Sequence, residues 1–344
     1  MMKLRLISSI FLYFPLAFFS QEVRGDNEKY LEEDRKKISV VAATRYIDNS
    51  FGLYADRQTF FLKPNEAFYT EFLVRYRWLD FNISFEPKLF KINNDDDVKG
   101  KTRYFDIGFA FFLCPKIRQV INYTHIKGFY LESTQKFVKA FLEPELQDVF
   151  NDGYLQFPDS KYQSFRGETS YLWVGDKTNY RSYTNMTYKP LKNNFVLISG
   201  LFYQYNVLRD ANKMIYKGRE VSDPDFHTTV TKDIRVALRS GAGMQKVLKN
   251  NWYTVMELYP QVYYATLIDS KNYEFNFGLN SNMRIGYDNG KWFFGGEGQI
   301  NWLNSSKVNF YSTTQWQVRV GVGVRIGSPK FVNKTFDKIE NILE

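Results

Sequence analysis

Between Tyr273 and Tyr287 the chain alternates without a break. Tyr273, Phe275, Phe277, Leu279, Ser281, Met283, Ile285 and Tyr287 are apolar or small, and Glu274, Asn276, Gly278, Asn280, Asn282, Arg284 and Gly286 lie between them. A period of two belongs to a strand, whose successive side chains point to opposite faces. One face therefore meets an apolar phase and the other meets water or a polar network. The run is too long for an ordinary half-buried strand. A soluble barrel would put the apolar set inside, whereas a membrane barrel puts it against lipid and keeps the lumen polar. Periodicity alone does not choose between them.

The aromatic ends of the strands do. Trp292, Phe294, Gly296, Gly298, Ile300 and Trp302 share the next apolar face. At a rise of roughly 3.3 Å and a tilt near 40°, its two tryptophans stand about 25 Å apart along a barrel axis, the height of an outer-membrane hydrocarbon band. From Trp316 to Ile326 the scheme returns, with Trp316, Val318, Val320, Val322, Val324 and Ile326 against Gln317, Arg319, Gly321, Gly323 and Arg325. Three such segments with Trp or Tyr near their ends favour lipid over a soluble sandwich or barrel. Tyr273, Tyr287, Trp292, Trp302 and Trp316 are the expected membrane girdle.

Lys3 and Arg5 precede an apolar run from Leu6 to Phe19, the layout of a secretory signal peptide, expected over residues 1–25 with cleavage after Ser20 or Gly25. No later stretch is long and apolar enough for a spanning helix. No Pro, Gly or Ser linker divides the strand pattern, so one barrel domain is expected over 38–328, after a periplasmic lead or short helix at 26–37. Aromatic residues make up 18% of the chain, which suits girdles and lipid-facing positions. One cysteine, Cys114, allows no internal disulfide, and with two histidines a zinc site is not expected. The net charge of +9 is scattered, without a dense basic run interleaved with aromatics. It reads as a lumen network plus contacts with anionic lipid headgroups, not as a nucleic-acid face.

Strands are expected from Ser39 onward and near 51–63, 66–77, 79–86, 103–113, 116–130, 161–174, 179–189, 194–208, 230–247 and 251–265, with the three segments above completing a count of 12 to 14. Tight connections are expected at Arg77-Trp78, Cys114-Pro115-Lys116, Pro190 to Asn193, Lys249 to Asn251 and Asp288-Asn289-Gly290, the last the strongest hairpin signal. Counting back from the carboxyl end puts 209–229 outside and 131–160 inside, so the latter is expected as a periplasmic or plugging element unless a strand boundary is misread. Phe331, Thr335, Ile339 and Ile342 recur at helical spacing, giving a short amphipathic helix in the tail 329–344.

Several segments together resemble a Bacteroidota family of outer-membrane barrels, the domain of unknown function 4421. They are Lys63-Pro64-Asn65, Arg75-Tyr76-Arg77-Trp78-Leu79, Lys127-Gly128-Phe129-Tyr130-Leu131, Phe157-Pro158-Asp159 and Arg325-Ile326-Gly327-Ser328-Pro329-Lys330-Phe331. The resemblance covers most of the mature chain. It implies a barrel and an outer-membrane address, and no activity.

Chemistry has few footholds. Barrel hydrolases and acyltransferases place a nucleophile beside a base. His125, the one strand histidine, has no Ser or acid set beside it by a recognisable motif, and reads as an aromatic-belt or hydrogen-bonded residue. Asp223, Asp225 and His227 could hold a metal weakly, but a solvated loop is the plainer reading, as it is for Asp95-Asp96-Asp97. Gly241-Ala242-Gly243 and Gly321-Val322-Gly323 lie inside strands with no following helix, so they leave room for neighbouring side chains or a pore and do not cradle phosphates. The most informative set is the lumen face: Arg235, Arg239, Arg284, Arg319 and Arg325 with Asp233, Glu257, Glu274 and Glu297. Buried charges must be paired, so a filled salt-bridge network is preferred over a charged pore. The expected protein is a non-enzymatic outer-membrane barrel, either a narrow channel or a structural or surface-interaction protein, using no cofactor. Its expected partners are outer-membrane lipids, lipopolysaccharide and the barrel-assembly machinery. A lipid-modifying barrel enzyme and a soluble secreted β protein are the alternatives.

Overall fold

The computed structural model describes residues 25–343 apart from 56–57, 66–67, 87–94, 142–143, 176, 222–229, 269–272 and 304–313. The signal-peptide segment and the Asp223, Asp225 and His227 loop lie outside the described residues.

Twelve antiparallel strands form a closed wall: β1 (Lys37–Ile47), β2 (Phe68–Tyr76), β3 (Leu79–Phe85), β4 (Arg103–Cys114), β5 (Ile117–Leu131), β6 (Gln156–Val174), β7 (Asn194–Arg209), β8 (Thr231–Val247), β9 (Trp252–Leu267), β10 (Tyr273–Asp288), β11 (Trp292–Leu303) and β12 (Thr314–Gly327). Each pairs with its sequence neighbour, and β12 pairs back onto β1 from Lys37↔Gly327 to Ile47↔Gln317, so the wall has no free edge. The register carries one face around the ring. Arg284 stands opposite Glu297, Glu297 opposite Arg319, and Arg319 opposite Arg45. The other face is apolar and open: Leu238 is 66% exposed and Phe277 64%, while Arg284 is 0% exposed. That is inside-out for a soluble barrel and right for a transmembrane one.

Four connections on the side of the two termini are tight: Arg77-Trp78, Pro115-Lys116, 248–251 and 289–291. At the last, Gly290 takes φ +90° while its N–H donates to the Asp288 carboxylate at 2.8 Å, and the Asn289 side chain accepts from the N–H groups of Lys291 and Trp292. A fifth connection on this side, 175–193, is long and turns into the barrel, and the remaining connections leave the opposite end.

Two strand assignments need correction. Residues 179–189 are not a strand. Lys177–Thr184 is a helix, and the chain after it runs on without regular structure to β7. Tyr180 and Tyr183 are three apart and both buried in one cluster, a spacing that a strand would split between opposite faces. Removing this strand from the count reverses the parity before it, so 132–155 belongs with the long connections away from the termini and not inside. Residues 51–63 are the second correction. They form a hairpin, Phe51–Ala55 with Gln58–Lys63, attached beyond the end of β5 through Leu62↔Leu131. β1 and β2 already pair directly, Arg45 opposite Tyr69, which leaves this hairpin no place in the ring.

The helices of eight or more residues among the described residues are α1 (Gly25–Asp34), α2 (Thr134–Phe141), α3 (Lys177–Thr184) and α4 (Lys330–Leu343). α4 is the expected tail helix, but it docks by another face. Asn333 bonds Tyr76, Phe336 sits 4.6 Å from the Tyr76 ring, and Asp337 and Glu340 pair with Arg77 at 2.6 and 2.8 Å. Phe331, at the head of the expected apolar stripe, is 72% exposed. Beside the termini, polar anchors around Arg77 decide the docking.

Candidate functional site in the barrel lumen

The period-two alternation places one charged side chain at mid-height on strand after strand, and the register sets them side by side. Glu297 accepts from Arg284 Nε at 2.9 Å and from Arg319 Nη2 at 2.7 Å. Arg319 reaches on to Glu71 at 3.3 Å, Glu71 lies 3.9 Å from Arg45, and Arg45 lies 3.7 Å from Asp106 while donating to the Tyr104 hydroxyl at 2.8 Å. A single ladder of alternating sign therefore runs across β10, β11, β12, β1, β2 and β4. Each buried charge in it has a partner of opposite sign, which offsets the cost of leaving water.

The other expected lumen residues form smaller groups. Arg235 pairs with Asp233 at 3.1 Å, and Asp233 also accepts from Asn206. Arg239 pairs with Glu168 at 2.8 Å and lies over the Phe202 ring. Glu257 accepts from Tyr259 and Asn282, and Glu274 from Asn276. Arg325 clamps Asp288 with both terminal nitrogens, at 2.7 and 2.8 Å. All nine face inward.

The α3 segment lies inside the barrel at the end nearest the termini. Tyr180, Tyr183 and Tyr188 are buried against lumen-facing Phe112, Leu172, Val196 and Val255. Met186 sits among Val41, Ala43, Leu73 and Phe293. The plug is tied as well as packed. Arg284 donates to the carbonyls of Ser182 and Tyr183, Arg325 to that of Thr187 at 2.9 Å, and Asn185 to Asp80 at 3.0 Å, while Ser182 bonds Gln245. Gly243 makes the space: a Cβ there would stand 2.9 Å from the Tyr183 ring. The Asp34 carboxylate at the end of α1 closes the same mouth, bonded to Arg75 at 2.6 and 2.9 Å. Burial alone would raise this carboxyl's pKa, but Arg75 and Arg325 outweigh it and hold it below the usual carboxylate range.

At the far end Phe51 packs on Phe129 and Tyr162, near a buried group that includes Tyr69, Tyr104 and Ile126. Between this roof and the plug lies a cavity of about 290 Å³. Its walls carry six arginines (Arg45, Arg118, Arg166, Arg235, Arg239, Arg319) against three carboxylates (Glu71, Asp80, Glu168), with many Asn and Gln amides. Arg118 and Arg166 have no ion-pair partner among the described residues, and Arg118 Nε is buried without a hydrogen bond.

Sequence reasoning missed much of this site. Arg45, Glu71, Asp106, Arg118, Arg166 and Glu168 lie on β1, β2, β4, β5 and β6, where the same alternation runs and could have found them. The α3 plug left only the Tyr180 and Tyr183 spacing as a signal. Asp34 and Asp288 left none, since both act from strand or helix ends. Outside, Tyr273, Tyr287, Trp292, Trp302 and Trp316 all face away from the lumen, and Tyr287 stacks on Phe294 beside Trp252. His125 also faces outward, opposite Phe105 and Gln163, with no acid paired to it among the described residues. Among the described residues no cluster of His, Cys, Asp and Glu has the makings of a metal site. Asp95 pairs with Lys99 at 2.6 Å and Asp96 accepts from Asn65.

A closed wall with an apolar exterior and a charged, hydrogen-bonded interior defines a transmembrane β-barrel. The sequence matches the family described as Domain of unknown function (DUF4421) over residues 25–326, and the chain belongs to that family. No curated protein matches it. Among solved structures it is similar to the translocator domain of the autotransporter NalP from Neisseria meningitidis, with 9% identity and a TM-score of 0.46 over 88% of this chain and 94% of that one. It is also similar to the β domain of the Bordetella autotransporter BrkA (8%, TM-score 0.37, 84% and 100%) and to the Pseudomonas putida toluene transporter TodX (8%, TM-score 0.32, 85% and 90%). At these identities the likeness concerns the fold alone.

Proposed function

We propose that this protein is a non-enzymatic outer-membrane barrel whose lumen is closed toward the periplasm, serving as a structural or surface-presenting wall that conducts little at rest. The observation that carries this reading is the α3 plug, held by Arg284, Arg325 and Asp80 through three independent polar ties. Four tight turns on the terminal side, with the inward-folded 175–193 plug as the one long link there, and the other connections opposite support a periplasmic position for both termini. The non-enzymatic part is supported by the outward setting of His125, with no acid paired to it among the described residues, and by lumen carboxylates such as Glu297, Glu71 and Asp288 that are engaged by arginines. Heat-modifiable migration on gels tests the barrel in lipid, and planar-bilayer recording tests the closure. Stable, large, ion-selective steps from the wild-type protein would defeat the closed reading.

The central cavity favours a second reading, a narrow channel that passes small anions when the plug moves. Its arginines exceed its carboxylates, and Arg118 and Arg166 make no salt bridge among the described residues. Removal of residues 177–188 separates the two. A plain wall with its plug removed leaks without preference, whereas an anion channel leaks with anion selectivity that Arg118→Gln and Arg166→Gln abolish.

A further inference from the structure

Four basic residues stand in one cross-strand row on the outward face: Arg103 opposite Lys127, Lys127 opposite Lys161, and Lys161 opposite Arg209. Neighbouring strands lie about 4.8 Å apart, so the row spans roughly 15 Å across β4 to β7. It sits at the strand ends away from the termini, above a surface of Phe105, Phe165 and Tyr205 that are 38%, 46% and 39% exposed. Its charge is only half answered. Asp159 holds Lys127 at 2.9 Å and Asp210 holds Lys161 at 2.8 Å, while Arg103 and Arg209 have no ion pair among the described residues. Two nitrogens in the patch are buried without a hydrogen bond, Nε of Arg209 and Nδ1 of His125 one row below. Orphaned buried polar atoms are rare in folded proteins because each forfeits its hydration.

We propose that this row binds the phosphorylated headgroup of an outer-leaflet lipid. Phosphate oxygens are held by the guanidinium groups of Arg103 and Arg209 with Lys127 and Lys161 between them, and the acyl chains lie on the aromatic surface beneath. Guanidinium groups match phosphate by paired N–H donors, and a row of cations just beyond an apolar band fits a molecule that is anionic at one end and hydrocarbon at the other. The proposal rests on the outer-membrane reading, which places this end in the outer leaflet.

The test is native mass spectrometry of the full barrel in mixed micelles containing either bis-phosphorylated lipid A or the same lipid with its phosphates removed. The wild type is expected to retain the phosphorylated lipid and to hold the other at least about tenfold more weakly. The double variant Arg103→Gln/Arg209→Gln is expected to lose that preference, and Arg103→Lys/Arg209→Lys to keep part of it. Displacement of the lipid by millimolar inorganic phosphate alone would overturn the proposal, because the site would then read a free anion. Heat-modifiable migration on the same samples reads the barrel itself. A folded variant that has lost the lipid supports the site, and a folded wild type that takes both lipids alike overturns it while leaving the barrel reading intact.

Discussion

Arg284 on β10 and Glu297 on β11 are register partners whose side chains meet at 2.9 Å, and the two remaining nitrogens of the same guanidinium hold the carbonyls of Ser182 and Tyr183. One arginine thus joins the lumen ladder to the plug. Removing it strands Glu297 on Arg319 alone and frees two plug carbonyls. Breaking a buried pair costs about 3–5 kcal/mol. Arg284→Ala is expected to lower the thermal midpoint of the refolded barrel and to open a measurable leak in planar bilayers. Glu297→Ala should lower stability comparably with a smaller leak, since it leaves the bonds to the plug in place. An Arg284→Ala protein as tight as wild type would separate the plug from the ladder.

The facing of β12 makes a second prediction. Val320 is 61% exposed on the outer wall, whereas Gln317 lies inside and donates to Gln299. An arginine at the bilayer midplane costs roughly 2–4 kcal/mol on the lipid side. Val320→Arg should block folding into lipid vesicles, and Gln317→Arg should fold. Equal yields would remove the assigned facing.

Legibility in the sequence followed periodicity. The faces of β10, β11 and β12 could be read because Trp, Phe and Val alternate with Arg, Glu and Gly for more than ten residues, and the fold class followed from them. The plug could not be read in the same way. Tyr180, Ser182, Tyr183, Asn185 and Thr187 mix aromatic and polar residues at no strand period, because a segment inside a polar lumen is buried on all sides among both kinds of partner. That single misreading also put 131–160 on the wrong side, since parity propagates along the chain. The ladder itself was half legible: Glu297 and Arg319 were expected, but their continuation through Glu71, Arg45 and Asp106 depends on ring closure, which only the β1–β12 pairing supplies.

A third prediction uses the space at Gly243. A Cβ at this position would stand 2.8 Å from Val196 on the wall and 2.9 Å from Tyr183 on the plug. Overpacking a filled site costs about 1–3 kcal/mol, and the plug is the part able to move. Gly243→Leu is expected to form a barrel of normal heat-modifiable migration that conducts more than wild type. Gly298→Leu is the control: on the outer wall with nothing within 4 Å, it should leave conductance unchanged. A leak in the control and not in Gly243→Leu would place the weak point elsewhere than the plug.

The mouth beside the termini should respond to acid through Asp34. Its carboxyl is held below the ordinary value of 3.8, so the folded state binds this proton less readily than the unfolded one. The docking energy is therefore fully present above the ordinary carboxylate pKa and is lost as the pH falls through the lowered value. Arg75 and Arg325 stay charged throughout, so acid leaves two buried guanidinium groups facing a neutral side chain. A spin label at position 29 on α1 should be immobile at pH 7 and become mobile in acid only once the pH has fallen below the lowered pKa of Asp34. Asp34→Asn should be mobile at both, because the amide accepts one hydrogen bond where the carboxylate accepts charge-assisted bonds on both oxygens. If the wild-type label stays immobile in acid while Asp34→Asn is mobile at pH 7, some other contact of α1 titrates with it. If both labels are immobile at every pH, the Arg75–Asp34 pair does not hold the helix.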